Sequence, residues 1–245
     1  MLELIQAYFG VGKIYKHGTN SLELRVSSLN DLKIVINHFD NYPLITQKLA
    51  DYKLFKQGVE LIQNKEHLTK NGLLKLINLK ASLNLGLSEN LKLNFSDFIP
   101  VERPLVKNTK IQDINWLIGF VEAEGCFHVV IQEYKDKPTN ISLKFTLTQH
   151  SRDRVLLESF INYLGCGRCY KDPKRNEVQF IISTFLDIYQ NFIPLFKKYP
   201  LLGDKQQNFL DFYKVAELIK SKNHLTKDGL EKIKLIKNNM NTKRK

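Results

Sequence analysis

The chain has 245 residues and a formal net charge of +12, long enough to bury a core and basic enough to favour a polyanionic partner. Apolar residues make up 43%, which excludes a disordered basic tail. No apolar run approaches the roughly 20 residues of a membrane span, and the opening Met1–Gln6 lacks the basic and apolar regions of a secretory leader.

In chain order, a short helix ends at Gly10-Val-Gly12, and strands follow in which Leu22, Leu24 and Val26 alternate with Glu23 and Arg25. A helical stretch leads to Tyr42-Pro-Leu-Ile-Thr-Gln-Lys48, another to His67-Leu-Thr-Lys-Asn-Gly-Leu73. Residues 87–110, with Pro100 and Pro104, read as a connector, leaving 1–86 as one repeat and 111–245 as the next. Asp113 is placed to cap a helix from Ile114 to about Ala123. Alternation then predicts strands over Phe127–Tyr134 and Ile141–Gln149, joined across residues 135–140. An amphipathic helix spans Leu156–Tyr163 and ends at Gly165-Cys-Gly167; strands follow, with Val178, Phe180 and Ile182 facing inward. Helices are expected over Leu186–Lys198, over Lys205–Lys220, and from about Lys227 behind a Thr226 cap.

The second half repeats the first. Tyr8-Phe-Gly-Val-Gly-Lys-Ile-Tyr15 parallels Tyr163-Leu-Gly-Cys-Gly-Arg-Cys-Tyr170 at an offset of 155. The Tyr-Pro-Leu segment recurs at Tyr199–Lys205, and the His-Leu-Thr-Lys segment at His224–Leu230, both at 157. Conserved order with a two-residue drift indicates a duplicated domain.

The Ile114 helix is apolar nearly all round, through Leu117, Ile118, Phe120 and Val121, which predicts burial. It ends in Glu122-Ala-Glu124-Gly125. Two carboxylates at a helix C-terminus oppose the dipole; a divalent cation shared with a phosphate offsets that, and the plain alternative is a surface helix end capped by Gly125.

Leu117–Gly125, Leu-Ile-Gly-Phe-Val-Glu-Ala-Glu-Gly, resembles the nine-residue motif of the LAGLIDADG homing endonucleases, with Glu in place of both Asp. The downstream order is similar too: Gly125-Cys-Phe opening a strand, Phe145-Thr-Leu-Thr-Gln149, Leu164-Gly-Cys-Gly167, and Tyr-Pro-Leu followed by Lys205. The resemblance implies an α+β fold of duplicated α-β-β-α-β-β-α units, whose curved antiparallel sheets sit over the DNA major groove. It implies Glu124 as the metal ligand for Mg²⁺ or Mn²⁺, and Lys205, Lys48 and Gln149 as further residues of the cleavage site. Asp153 departs from the family pattern, which carries a basic residue there in some members.

Strand parity then nominates DNA-facing residues. They are His128, Val130, Gln132 and Tyr134; Ser142, Lys144, Thr146 and Thr148; Arg168, Tyr170, Glu177 and Gln179; and, in the first copy, Lys13, Tyr15, Glu23 and Arg25. An ordinary solvated polar side chain is the alternative at each.

Cys126, Cys166 and Cys169 cannot all pair and read as reduced thiols. Cys166-Gly-Arg-Cys169 has metal spacing but no second pair, and Val11 and Ile14 occupy its places in the first copy, so it reads as core. His67 and His224 precede capping threonines and read as structural; the Lys-rich end from Lys237 reads as a frayed tail.

By the offset, the partner of Glu124 falls before Met1, so the first unit is expected to lack its motif helix and first two strands. The exposed motif helix is then expected to drive self-association. The leading expectation is a metal-dependent, site-specific endonuclease acting on double-stranded DNA. The alternatives are an intron maturase binding its own intron RNA, a splicing or transcription factor on the same scaffold, or a cleavage-inactive DNA-binding remnant. The Lys-, Asn- and Ile-rich, Ala-poor composition is the bias of AT-rich coding DNA and points to an organelle-encoded, mitochondrial product.

Overall fold

The computed structural model describes residues 1–19, 21–106, 110–136 and 138–241. The chain divides into two compact units, Met1–Asn108 and Thr109–Lys245. The first runs α1 (Leu2–Phe9), β1 (Lys13–His17), β2 (Ser21–Arg25), α2 (Leu29–Asn41), α3 (Lys48–Gln63), α4 (Lys70–Ala81) and α5 (Glu89–Asn94). The second opens with α6 (Ile114–Glu124), β3 (Gly125–Gln132) and β4 (Asn140–His150). It continues through α7 (Arg154–Leu164), β5 (Arg168–Lys171), β6 (Glu177–Ile182), α8 (Phe185–Asp187), a π-helical turn (Ile188–Phe192) and α9 (Ile193–Lys198). It closes with α10 (Lys205–Lys220) and α11 (Lys227–Asn238). The sheets are antiparallel: β1-β2 in one unit, β3-β4-β6-β5 in the other. This is the expected α+β class.

The same local chemistry builds both units. Thr69 and Thr226 each accept a hydrogen bond from the N–H of the glycine three residues on, capping α4 and α11. Those glycines have no room for a side chain: a Cβ would lie 2.0 Å from the Glu66 carbonyl oxygen at Gly72 and 1.9 Å from that of Asn223 at Gly229. Helices α1 and α7 end at Gly10 and Gly165 in the left-handed region, φ 68° and 67°.

The two residues of offset drift enter at two places: one between the paired strands, where Tyr15 and Tyr170 are 155 apart but Glu23 and Gln179 are 156 apart, and one in the helix that follows. Ser28 and Thr184, which precede the matching helices, are 156 apart, whereas Tyr42 and Tyr199 at the far ends are 157 apart. The additional residue is taken up by the π-helical turn at Ile188–Phe192, the usual way a helix absorbs a one-residue insertion. The helix expected over Leu186–Lys198 is therefore interrupted.

One face of the four-stranded sheet is covered by helices. Phe127 and Phe145 meet Phe192, and Phe127 also meets Phe196, Phe209 and Phe212, with ring centroids 4.4–6.4 Å apart. Phe180 packs edge-on against Phe160 of α7. Burying each ring is worth about 1.5–3 kcal/mol. The first unit has a smaller core of Ile45, Ala50, Leu54, Val59, Ile77, Leu79 and Leu87. Helices α1 and α2 and strands β1 and β2 bury no residue fully.

Several expectations need correction. Strand β3 ends at Gln132 and the chain then turns, so Tyr134 lies outside the strand. Leu22, expected inside, is 61% exposed. Residues 87–110 are not a bare connector: they include α5, and Ile99 N–H donates to Asn78 Oδ1 at 2.9 Å while Ser82 Oγ donates to the Val101 carbonyl at 2.6 Å. The C-terminal segment is anchored as far as it is described, with Lys237 and Asn238 in α11 and Met240 2% exposed; residues 242–245 lie outside the described residues. Cys166 is buried and Cys169 half-buried, and burial pushes both thiols up to about 11.

Candidate functional site

Helix α6 starts where Asp113 Oδ1 accepts from Asn115 N–H at 2.8 Å. Leu117, Ile118 and Val121 are buried. Trp116 and Phe120 stack at 4.7 Å and meet Phe160 edge-on, which seats the helix on α7. The helix is not buried all round as its composition suggests: Asn115, Gly119 and Ala123 form an exposed row, and a Cβ at Gly119 would meet nothing within 4 Å. At the other end Gly125 is required. A Cβ there would lie 2.8 Å from the Val121 carbonyl oxygen and 2.9 Å from Phe145, so only glycine lets the chain turn directly from helix into β3.

The two motif acids differ. Glu124 is exposed and forms no ion pair among the described residues, whereas Glu122 has a buried Oε2 with no hydrogen-bond partner. Lys205, the first residue of α10, donates from Nζ to the Gly125 carbonyl oxygen at 2.6 Å. The fold thus brings the lysine of the Tyr-Pro-Leu segment, 80 residues on, to the residue after Glu124. A positive charge there offsets the negative end of the α6 dipole.

Gln149 lies on β4, half-buried, two residues past the Leu147–Gly125 pair and so on the side of the α6 terminus. Lys48 holds the place of Lys205 at the start of α3 but is exposed. Asp153 is buried, with Arg152 Nε at 3.9 Å.

On the face of the large sheet away from the helices, the register makes rows. Thr148, Gln179 and Tyr170 stand side by side, as do Thr146, Ile181 and Arg168, and His128 faces Lys144. Val130 pairs with Ser142. Arg168 and Tyr170 are exposed. Thr146 is only 8% exposed, and its Oγ1 shares a 2.9 Å hydrogen bond with His128 Nε2. Burial, reinforced by the Lys144 charge, lowers the His128 pKa and keeps its ring neutral. Gln132 Oε1 accepts from Tyr134 Oη at 3.0 Å and Asn140 Nδ2 at 3.2 Å. Glu177 pairs across the sheet with His150, and Arg175 Nη1 lies 3.9 Å from its carboxylate.

Sequence parity missed Cys126, Asn140 and His150 on this same face, each one residue beyond an assumed strand end, and it left Ile181, which the alternation of β6 also turns to this face, out of the nominated contacts.

In the smaller sheet, Tyr15 pairs with Glu23 and Lys13 with Arg25. Arg25 forms an ion pair with Glu23 and lies 5.0 Å over the Tyr15 ring. Matching registers make Glu23 the counterpart of Gln179, and Arg25 that of Ile181. Lys13 is exposed.

The LAGLIDADG endonuclease family model matches residues 1–59 and 117–216, one stretch in each repeat. "Probable intron-encoded endonuclease 3" of Neurospora crassa is 39% identical over 240 residues, which is 96% of this chain and 45% of that protein. "Probable intron-encoded endonuclease 2" of the same fungus is 36% identical, covering 98% of this chain and 55% of that protein. The chain therefore spans about half the length of these curated relatives. Among solved structures, the LAGLIDADG homing endonuclease I-SmaMI bound to cleaved DNA superposes with a TM-score of 0.97 at 41% identity, over 100% of this chain and 83% of that one. I-SmaMI has also been solved on an uncleaved target in the presence of calcium ions. The repeat, the α6 motif and these likenesses agree, and the chain belongs to the LAGLIDADG endonuclease family.

Proposed function

We propose that this chain acts as a site-specific endonuclease that binds double-stranded DNA through its sheet faces and cuts it beside Glu124. The observation that carries the reading is the 2.6 Å contact from Lys205 Nζ to the Gly125 carbonyl, which holds an ammonium next to the motif carboxylate. Sheet residues present alternating side chains to one side, the arrangement that reads a major groove. Arg168, Lys144, Gln179 and Tyr170, with Lys13, Tyr15 and Arg25 in the first unit, are the proposed contacts; His128 and Thr146 act as one hydrogen-bonded unit. The DNA-bound I-SmaMI structures support the partner, and the intron-encoded relatives support an organelle-encoded, mitochondrial origin.

Among the described residues no group of three or more His, Cys, Asp or Glu side chains could hold a metal ion, so Glu124 is the one protein ligand proposed for Mg²⁺ or Mn²⁺. Glu124 is exposed and forms no ion pair among the described residues, and it would hold the ion together with water and DNA phosphate oxygens. When bound, the ion supplies activation of water and charge stabilisation at the leaving oxygen. In the second unit Lys205 offsets charge developing on the phosphate and Gln149 orients groups at the α6 terminus; Lys48 is the matching lysine of the first unit, proposed for the same part there. The Asn115–Gly119–Ala123 row allows close approach of a second helix, the route for self-association.

The test is cleavage of a library of intron-insertion sites with Mg²⁺ or with Ca²⁺, comparing wild type with Glu124→Gln. Glu124→Gln should lose at least about 100-fold in cutting rate while still retaining the duplex in a mobility shift. Cutting that survives Glu124→Gln, or a wild-type chain that retains no duplex, overturns the reading.

A further inference from the structure

Helices α3 and α10 begin with the matched lysines, Lys48 and Lys205. Three residues along each helix stands a side chain with an acceptor oxygen, Asp51 in one and Asn208 in the other. Each accepts a backbone N–H from an asparagine 33 residues further on: Asn84 to Asp51 Oδ1 at 3.2 Å, and Asn241 to Asn208 Oδ1 at 2.8 Å. Both asparagines are left-handed, with φ 52° and 58°. Among the described residues only four non-glycines have positive φ, and they form two repeat-matched pairs, Lys65 with Lys222 and Asn84 with Asn241. A strained conformation kept at the same place in both copies indicates a built feature.

In the second unit the asparagine side chain does more. Asn241 Nδ2 donates to the Phe127 carbonyl oxygen at 3.0 Å, and its Oδ1 lies 3.9 Å from Cys126 Sγ. Phe127 and Gly125 are two residues apart on β3, which is an edge strand of its sheet. Their carbonyls therefore project from the same free edge. Lys205 Nζ takes one and Asn241 Nδ2 the other, while the Asn241 backbone holds Asn208, one turn along α10 from Lys205. A single residue thus ties the strand that follows Glu124 to the helix that carries Lys205.

We propose that Asn241 is a positioning residue for Lys205: it fixes the register of α10 against the edge of β3, and so the place of the ammonium beside the motif end. Its catalytic consequence rests on Glu124 and Lys205 forming the cutting site. A plain helix terminator needs the left-handed backbone and the N–H to Asn208, but has no use for the side-chain bond to Phe127.

Asn241→Gly separates these roles, because glycine keeps the left-handed backbone and the N–H and removes only the side chain. The first readout does not depend on activity: the reductive methylation rate of Lys205, followed by mass spectrometry, with Lys48 as internal control. Lys205 should become modified severalfold faster and Lys48 should not change. The second readout is the cutting rate at saturating duplex, expected to fall about tenfold to a hundredfold with duplex affinity in Ca²⁺ unchanged. Asn208→Ala should reproduce both effects. An unchanged Lys205 rate overturns the proposal whether or not the wild type cuts. So does a lower melting temperature with Lys205 reactivity and cutting both unaltered, which is the signature of a terminator. A wild-type chain that cuts no duplex, with Lys205 reactivity raised in Asn241→Gly, upholds the positioning and removes only the reading of the site.

Discussion

The two repeats share the Thr69 and Thr226 caps, the Gly10 and Gly165 helix stops and the left-handed turns at Lys65 and Lys222, yet bury very different amounts of themselves. In the second unit a four-stranded sheet lies against α7, α9 and α10, and eight phenylalanines among the described residues are fully buried. In the first, a two-stranded sheet and helices α1 and α2 contribute no fully buried residue, and the core is confined to α3, α4 and their flanks. A two-stranded ribbon has little surface to offer a core. The comparison teaches that the helical framework is self-sufficient at the level of caps and turns, whereas a buried sheet face requires the strands and helix supplied by residues 114–150.

The cores of the two units should differ most in what a truncation costs. Phe127→Ala should destabilise the second unit by about 3–5 kcal/mol, whereas Leu22→Ala, at a position 61% exposed, should change stability by about 0.5 kcal/mol or less. Denaturant unfolding of each variant measures both; comparable losses would mean that the small sheet is packed after all. The shared turn geometry gives the next test. Gly72→Ala and Gly229→Ala drive a Cβ into a backbone carbonyl at 2.0 and 1.9 Å, so each should cost about 1–3 kcal/mol, and by nearly equal amounts. Unequal losses would show that the turns are matched in sequence but not in energetics.

The repeats also use different chemistry three residues into α3 and α10. Arg103 Nη1 donates to Asp51 Oδ1 at 2.8 Å and to the Ser82 carbonyl at 3.1 Å; the matching residue in the other unit is the neutral Asn208. The Arg103 hydrogen bond lowers the Asp51 pKa, outweighing burial, which raises it. A lowered folded-state pKa contributes stability above the unfolded value, lost as pH falls through the folded one. That loss falls below about pH 4. Asp51→Asn should cost about 1 kcal/mol at neutral pH, the difference between a charge-assisted and a neutral hydrogen bond. It should also flatten the acid limb of the unfolding curve. An acid limb unchanged by Asp51→Asn would show that Asp51 is not the group being titrated.

Much was legible in the residues alone. The duplication, the Thr69 and Thr226 caps, the Gly10 and Gly165 helix stops and the parity of β3, β4 and β6 follow from spacing within a few residues, where helix and strand geometry leave little choice. Parity is weaker at strand ends: it carries Tyr134 past the end of β3 at Gln132 and stops short of Cys126 and His150. It also could not show that Thr146, on the correct side, is covered and committed to His128.

The motif helix, its two carboxylates and the lysines matched between repeats are readable from the residues, because each is a local pattern or a repeated one. Only the tertiary structure decided that Lys205 reaches the Gly125 carbonyl across 80 residues, and that Asn241 reaches Phe127 across 114. Those contacts depend on how α10 packs beneath β3, and that packing is set by the rings of Phe127, Phe209 and Phe212 together, not by any pattern local to the lysine or the asparagine.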